Sequence, residues 1–335
     1  MRLSSACLAI VALVLLAVGG ASASDPVDLA AAKKEAGVTW YTSTPVAQAQ
    51  KIAGLFQAET GIKVELFRSG GSAVLRRFMQ EIDAKRVLAD VLTISDPAAM
   101  SMLIKRDLLV PFKPRNFEKI PDAVKDARGY HVAQRLNLVG IVARTDKGIE
   151  PPRNWPDLTD GKYKGKLVMP DPSFTALQLM AVGTLSQKYG WEFYRKLRAN
   201  DVMIVQSHQQ VSDTLTRGER PIAAEGADNY AWLARKAGHP VHMIFPTDGA
   251  LAVPAPTSLI KGSPHPHAAK ALAEFMLSDA VQKLLPGEGI YAARVDVEPP
   301  AGSPPLNTLK LMPIDYERIE KDAKSLKDKF NEIFQ

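Results

Sequence analysis

The sequence predicts an α/β protein whose sheet is mostly parallel. Two observations carry that prediction. A strand, a turn and a helix succeed one another three times before His131, which is the rhythm of βαβ units. The same rhythm resumes across roughly residues 135 to 248, after a long extended stretch. Composition agrees. Of 335 residues, 46% are hydrophobic and 23% charged, a globular balance that excludes a disordered chain. The length suits two domains or one large one. The net charge of +6 is spread along the chain, with no basic run dense enough for nucleic acid or a membrane surface.

The N-terminus sets the expected compartment. Arg2 precedes an unbroken apolar run from Cys7 to Val18, and Ala21-Ser22-Ala23 places small residues two apart. That is the pattern of a cleaved signal peptide over residues 1–23. The run is short of the about 20 residues that a bilayer span needs. Cys7 is the only cysteine, so the mature chain is expected to carry no disulfide and no thiolate chemistry. The expectation is an exported, periplasmic protein.

Each element has a local reason. Asp28 to Gly37 reads as a short helix stopped by Gly37. Val38 to Thr42 is β-branched and aromatic, a buried strand. Ser43-Thr44-Pro45 breaks it, and Val46 to Thr60 is amphipathic and ends on Gly61. Ile62 to Phe67 is a second strand, and Ser69-Gly70-Gly71-Ser72 opens a helix to about Lys85. Ala89 to Ile94 is a third strand, with Ser95-Asp96-Pro97 starting the next helix.

His131 to Arg144 reads as one long extended segment, followed by the proline-rich break Pro151 to Pro156. Leu167 to Met169 is a strand, and Ser173-Phe174-Thr175 starts a helix to Tyr189. Trp191 to Ala199 is a helix, Val202 to Val205 a strand and Val211 to Arg217 a helix stopped by Gly218. Ile222 to Ala224 is a strand, and Asn229-Tyr230-Ala231-Trp232 starts another helix. Ala250 to Pro256 is extended again. Ala268 to Leu285 and the last twenty residues read as amphipathic helices.

Several segments, taken in order, resemble one family. They are Gly37–Ser43 (GVTWYTS), Glu59–Glu65 (ETGIKVE), Ala89–Leu92 (ADVL) and Leu108–Phe112 (LLVPF). Further on come Asn154–Leu158 (NWPDL), Tyr163–Pro172 (YKGKLVMPDP), Arg217–Ile222 (RGERPI) and His265–Ser278 (HPHAAKALAEFMLS). In this order and spacing the chain resembles the periplasmic solute-binding proteins of ABC importers, the ferric-iron-binding type and its relatives. The resemblance covers nearly the whole mature chain. It implies a two-lobed periplasmic-binding-protein fold (type II), with ligand held between the lobes and no resident cofactor. The lobes would be residues 24–134 plus 250–300 and residues 135–249 plus 301–335. The crossings would fall near His131–Arg144 and Thr247–Pro256. The partners implied are a small solute and an inner-membrane ABC permease, for a monomeric binding protein.

In an open parallel sheet, ligands sit beyond the carboxyl ends of the strands. The turns there carry Ser43 and Thr44, then Ser69, Gly70, Gly71 and Ser72, then Ser95, then Ser173 and Thr175. Such turns offer hydroxyls and N–H groups at helix starts and suit an anion, although Ser and Thr also serve as plain caps. Arg68 and Arg135 are the candidate counter-charges. His208 and Gln209 follow a strand and face the expected cleft. Glu225, Asp228 and Asn229 are placed to take hydroxyls or an amine. Ferric binders of the family use paired adjacent tyrosines at the start of a helix, and this chain has one, Tyr230, between Asn229 and Ala231. The expected cargo is therefore a small anionic organic solute, phosphorylated or carboxylated. The alternative is ferric ion with a synergistic anion, in which case Tyr230 is the metal ligand.

Other classes find less support. There is no G-x-S-x-G elbow or H-E-x-x-H motif for an exported hydrolase. His239 and His242, and likewise His265 and His267, lack a metal-ligand set. Binding that signals through a receptor rather than a permease remains a sequence-level alternative.

Overall fold

The computed structural model describes residues 25–335, so the expected signal peptide lies outside the described residues. The first helix, α1 (Leu29–Glu35), is capped by Asp28, whose carboxylate accepts from Ala31 N at 2.9 Å. It ends on Ala36 at φ 62°, not on Gly37, which opens strand β1 (Gly37–Thr42). Helix α2 (Val46–Thr60) closes on Gly61 at φ 77°, where glycine carries no steric penalty. Next come β2 (Lys63–Arg68), α3 (Gly71–Asp83), β3 (Val91–Thr93), α4 (Pro97–Lys105) and β4 (Leu109–Val110).

A long strand, β5 (Val132–Arg144), then crosses the molecule. The second α/β run is β6 (Leu167–Pro170), α5 (Ala176–Tyr189), α6 (Trp191–Ala199), β7 (Met203–Val205), α7 (His208–Arg217), β8 (Ile222–Ala227), α8 (Asp228–Lys236) and β9 (Val241–Ile244). The other long strand, β10 (Leu251–Ile260), returns. The single helix expected over 268–285 is instead α9 (Pro266–Met276), α10 (Asp279–Gln282) and α11 (Leu284–Gly287). Ser278 interrupts it by capping α10, its hydroxyl accepting from Val281 N at 3.4 Å. A short β11 (Tyr291–Ala292) and the terminal α12 (Tyr316–Phe334) complete the chain.

The strands form a sheet in the order β2-β1-β3-β10-β5-β8-β6-β7. Pairing is parallel within β2-β1-β3 and within β8-β6-β7. Between these runs, β10 and β5 pair antiparallel with each other from Leu251↔Val139 to Thr257↔Val132. The two strands expected to cross therefore join two parallel half-sheets. Trp40, Ile52 and Phe56 centre the core of the first half. Trp155, Tyr163, Tyr194 and Phe330 centre that of the second.

Candidate functional site

The carboxyl ends of the two half-sheets face a shared cavity of about 250 Å³. Ser43 follows β1, Ser69 with Gly70 and Gly71 follows β2, and Ser95 follows β3. From the second half come Thr175 before α5, Gln206, Ser207, His208 and Gln210 around the start of α7, and Asn229 and Tyr230 in the first turn of α8. The starts of α2, α3, α5, α7 and α8 thus converge, and each presents the positive end of its dipole.

Two guanidinium groups supply full charge. Arg68 lines the cavity, and its Nε donates to Thr44 O at 3.1 Å. Arg135 lies beneath, 1% exposed, and its Nη1 donates to Thr44 Oγ1 at 2.9 Å and to Gln134 Oε1 at 3.0 Å. Its Nη2 reaches Ser95 Oγ at 3.5 Å, and its Nε has no partner. Burial lowers the Arg135 pKa to about 10, and the neighbouring Arg68 adds to that fall, so the group stays charged at neutral pH. Burial raises the Tyr230 pKa, against the pull of Arg68 and Arg135, so the phenol stays protonated.

Other polar atoms there are unmatched. Both ring nitrogens of His208 and the Nδ2 of Asn229 are buried without a partner. Burial drops the His208 pKa to about 4, which leaves a neutral imidazole. Among the described residues, no Asp or Glu lines this cavity. The carboxylate next to it, Asp228, turns Oδ1 to Leu138 N at 3.1 Å and lines a separate groove.

Of the residues singled out from sequence, Ser43, Arg68, Ser69, Gly70, Gly71, Ser95, Thr175, His208, Asn229 and Tyr230 line the cavity. Thr44 and Arg135 form a buried layer below it. Besides Asp228, four others sit elsewhere. Ser72 faces the groove between α3 and α12. Ser173 does not reach the cavity, and its carbonyl accepts from Arg76 Nη1 at 3.2 Å. Gln209 turns outward and donates to Asp213 at 2.8 Å. Glu225 lies in the core of the second half, where Gln178 and Tyr194 donate to it.

Asn137, Phe174, Gln206, Ser207 and Gln210 are cavity residues that the sequence reading passed over. A signal existed for the last two. Ser207-His208-Gln209-Gln210 has the S-x-x-Q form of a capping box, which starts α7 at His208 rather than Val211. Ser207 Oγ accepts from Gln210 N at 3.2 Å, and Gln210 Oε1 accepts from Gln206 N at 2.7 Å. Asn137 carries no such sign, since it lies within a continuous extended strand.

The family model for bacterial extracellular solute-binding proteins matches residues 87–322. The chain belongs to this family. Its role is that of the substrate-binding component of an ABC importer, not that of an enzyme. This solute-binding protein is similar, at 29% identity over 238 residues and 68% of each chain, to a Salmonella typhimurium protein provisionally named as a 2-aminoethylphosphonate-binding periplasmic protein. Its fold matches AfuA from Actinobacillus pleuropneumoniae, a periplasmic binding protein with fructose-6-phosphate bound. The TM-score is 0.81 at 23% identity, over 89% of this chain and 98% of AfuA. Iron-bound HitA from Pseudomonas aeruginosa matches with a TM-score of 0.76 at 20% identity, over 88% of this chain and 99% of HitA. The architecture is thus the two-lobed type II binding-protein fold.

Proposed function

We propose that this solute-binding protein captures a small organic anion, phosphorylated, phosphonate or carboxylated, in the cavity between its lobes. After export and removal of residues 1–23, it would deliver that solute in the periplasm to an inner-membrane permease. The lobes are residues 24–134 plus 250–300 and residues 135–249 plus 301–335, and they close by flexing β5 and β10.

One observation carries the reading. Arg68 and Arg135 place two cations at a cavity on which five helix starts converge and which no carboxylate lines. An anion there gains charge-assisted hydrogen bonds, with guanidinium forks matched to phosphate or carboxylate. A bare Fe(III) would face the same two cations with Tyr230 as its one phenolate. Among the described residues, no three His, Cys, Asp or Glu side chains gather as a metal-holding group. The Salmonella relative named for a phosphonate supports the same class, and in AfuA this fold holds a sugar phosphate.

The test is a thermal-shift screen of the mature protein against inorganic phosphate, alkylphosphonates, sugar phosphates, small carboxylates and iron with carbonate. A ligand that binds only the folded form stabilises it in proportion to RT ln(1 + [L]/Kd). Anions should raise the melting temperature, and Arg68→Ala should weaken the best of them by about 1.5–3 kcal/mol. Iron should leave the protein colourless. A visible phenolate-to-iron band that Tyr230→Phe abolishes would replace this reading with ferric transport.

A further inference from the structure

Unmatched atoms on two residues of the cavity wall, His208 and Asn229, specify more than charge. A neutral imidazole holds one N–H donor and one bare nitrogen acceptor, and on His208 both are buried without a partner. Asn229 Nδ2 adds further donor hydrogens that nothing in the protein accepts. A buried polar group left unpaired is costly, so a bound ligand is favoured in proportion to how many it satisfies.

Ligand groups differ in what they can satisfy. A hydroxyl both donates and accepts, so it can meet either face of His208 and can accept from Asn229. An ammonium donates only. It can meet the bare nitrogen of His208 but leaves the imidazole N–H and the Asn229 amide unmatched. It also brings a third cation to a cavity that already has Arg68 and Arg135 and no lining carboxylate. The acid beside Asn229, Asp228, is no substitute: its Oδ1 is committed to Leu138 N, its unpartnered Oδ2 belongs to a carboxyl that lines a separate groove and not this cavity, and burial raises its pKa to about 7.

We propose that the cavity selects an anion whose remaining polar groups are uncharged hydroxyls and discriminates against one carrying an amine, with His208 and Asn229 as the specificity-determining residues. The inference rests on the anion reading given above and refines it. It also separates this protein from what the name of its Salmonella relative describes, an aminophosphonate.

The test is a matched set of probes measured calorimetrically on the mature protein: 2-hydroxyethylphosphonate, 2-aminoethylphosphonate and ethylphosphonate. The hydroxyl compound should bind at least about tenfold more tightly than the other two, because a site built around a hydroxyl rejects analogues without one. His208→Phe keeps the ring but removes both polar atoms, and should erase that preference. His208→Gln, a neutral donor and acceptor, should preserve it. The comparison on the unmutated protein stands even if a variant does not fold. If the amino compound binds as tightly as the hydroxyl compound, or more so, this inference is overturned and the anion reading survives. If none of the three binds, and inorganic phosphate does not either, both are overturned.

Discussion

Gly70 stands at a close approach of the two halves of the molecule. A Cβ added there would lie 2.2 Å from the backbone oxygen of Phe174, which belongs to the other half. Its φ of −61° is ordinary, so the glycine is required by space and not by backbone conformation. Gly70→Ala should therefore push the halves apart here at a cost of about 1–3 kcal/mol. Ligand affinity should fall roughly 5- to 150-fold on that cost, while the unliganded melting temperature changes little. Equal affinity in the variant would contradict the close contact. Buried acids give a second prediction at this scale. Burial raises Glu225 and Asp228 to about 7 and Asp96 to about 6. Each keeps its proton in the fold at pH values where the unfolded chain has lost it. Stability from these groups is greatest below about pH 4 and falls as pH rises through about 6 to 7. Melts between pH 5 and 8 should slope downward from this source, and Glu225→Gln should flatten the slope.

Among the helices, α12 ties distant parts of the chain together. Asp315 caps it, accepting from Arg318 N at 3.0 Å, and Ile319, Leu326 and Phe330 enter the core of the second half. It packs on α5 and α6 and also reaches α4 of the first half. Gly183 of α5 makes room for it, since a Cβ there would stand 2.6 Å from Ile319 Cγ1. Phe330→Ala should cost about 3–5 kcal/mol and Gly183→Ala about 1–3 kcal/mol, read by denaturant unfolding. The amphipathic pattern of this helix is legible because it is long and begins at a cap, Asp315. The 268–285 stretch was misread because its apolar spacing continues through Ser278, and only the capping bond to Val281 N marks the break.

For the whole molecule, the proposed closure places the bend in β5 and β10, the strands that join the two half-sheets. Small-angle scattering of the mature protein should show contraction on saturation with an anion that raises the melting temperature. An unchanged profile at saturation would remove the hinge from the account.

What the sequence determined by itself follows from short-range physics. Alternating strand and helix signals, glycine stops such as Gly61 and Gly218, and hydroxyl turns at strand ends depend on neighbours within a few residues. They placed the α/β architecture, two long extended segments and much of the cavity wall, including Ser43, Ser69 and Thr175, whereas the crossing role of those segments and the place of Tyr230 came from the family resemblance. Tertiary structure decided what depends on rotation and distance. Gln209 and Gln210 are neighbours, but successive helix positions point about 100° apart, and the start of α7 at His208 turns Gln210 into the cavity and Gln209 to solvent. Glu225 and Asn229 lie four residues apart, yet one serves the core and the other the cavity, because the chain passes from strand to helix between them. Asn137 enters the site because β5 lies beneath Ser95, a contact across 42 positions that no local pattern encodes.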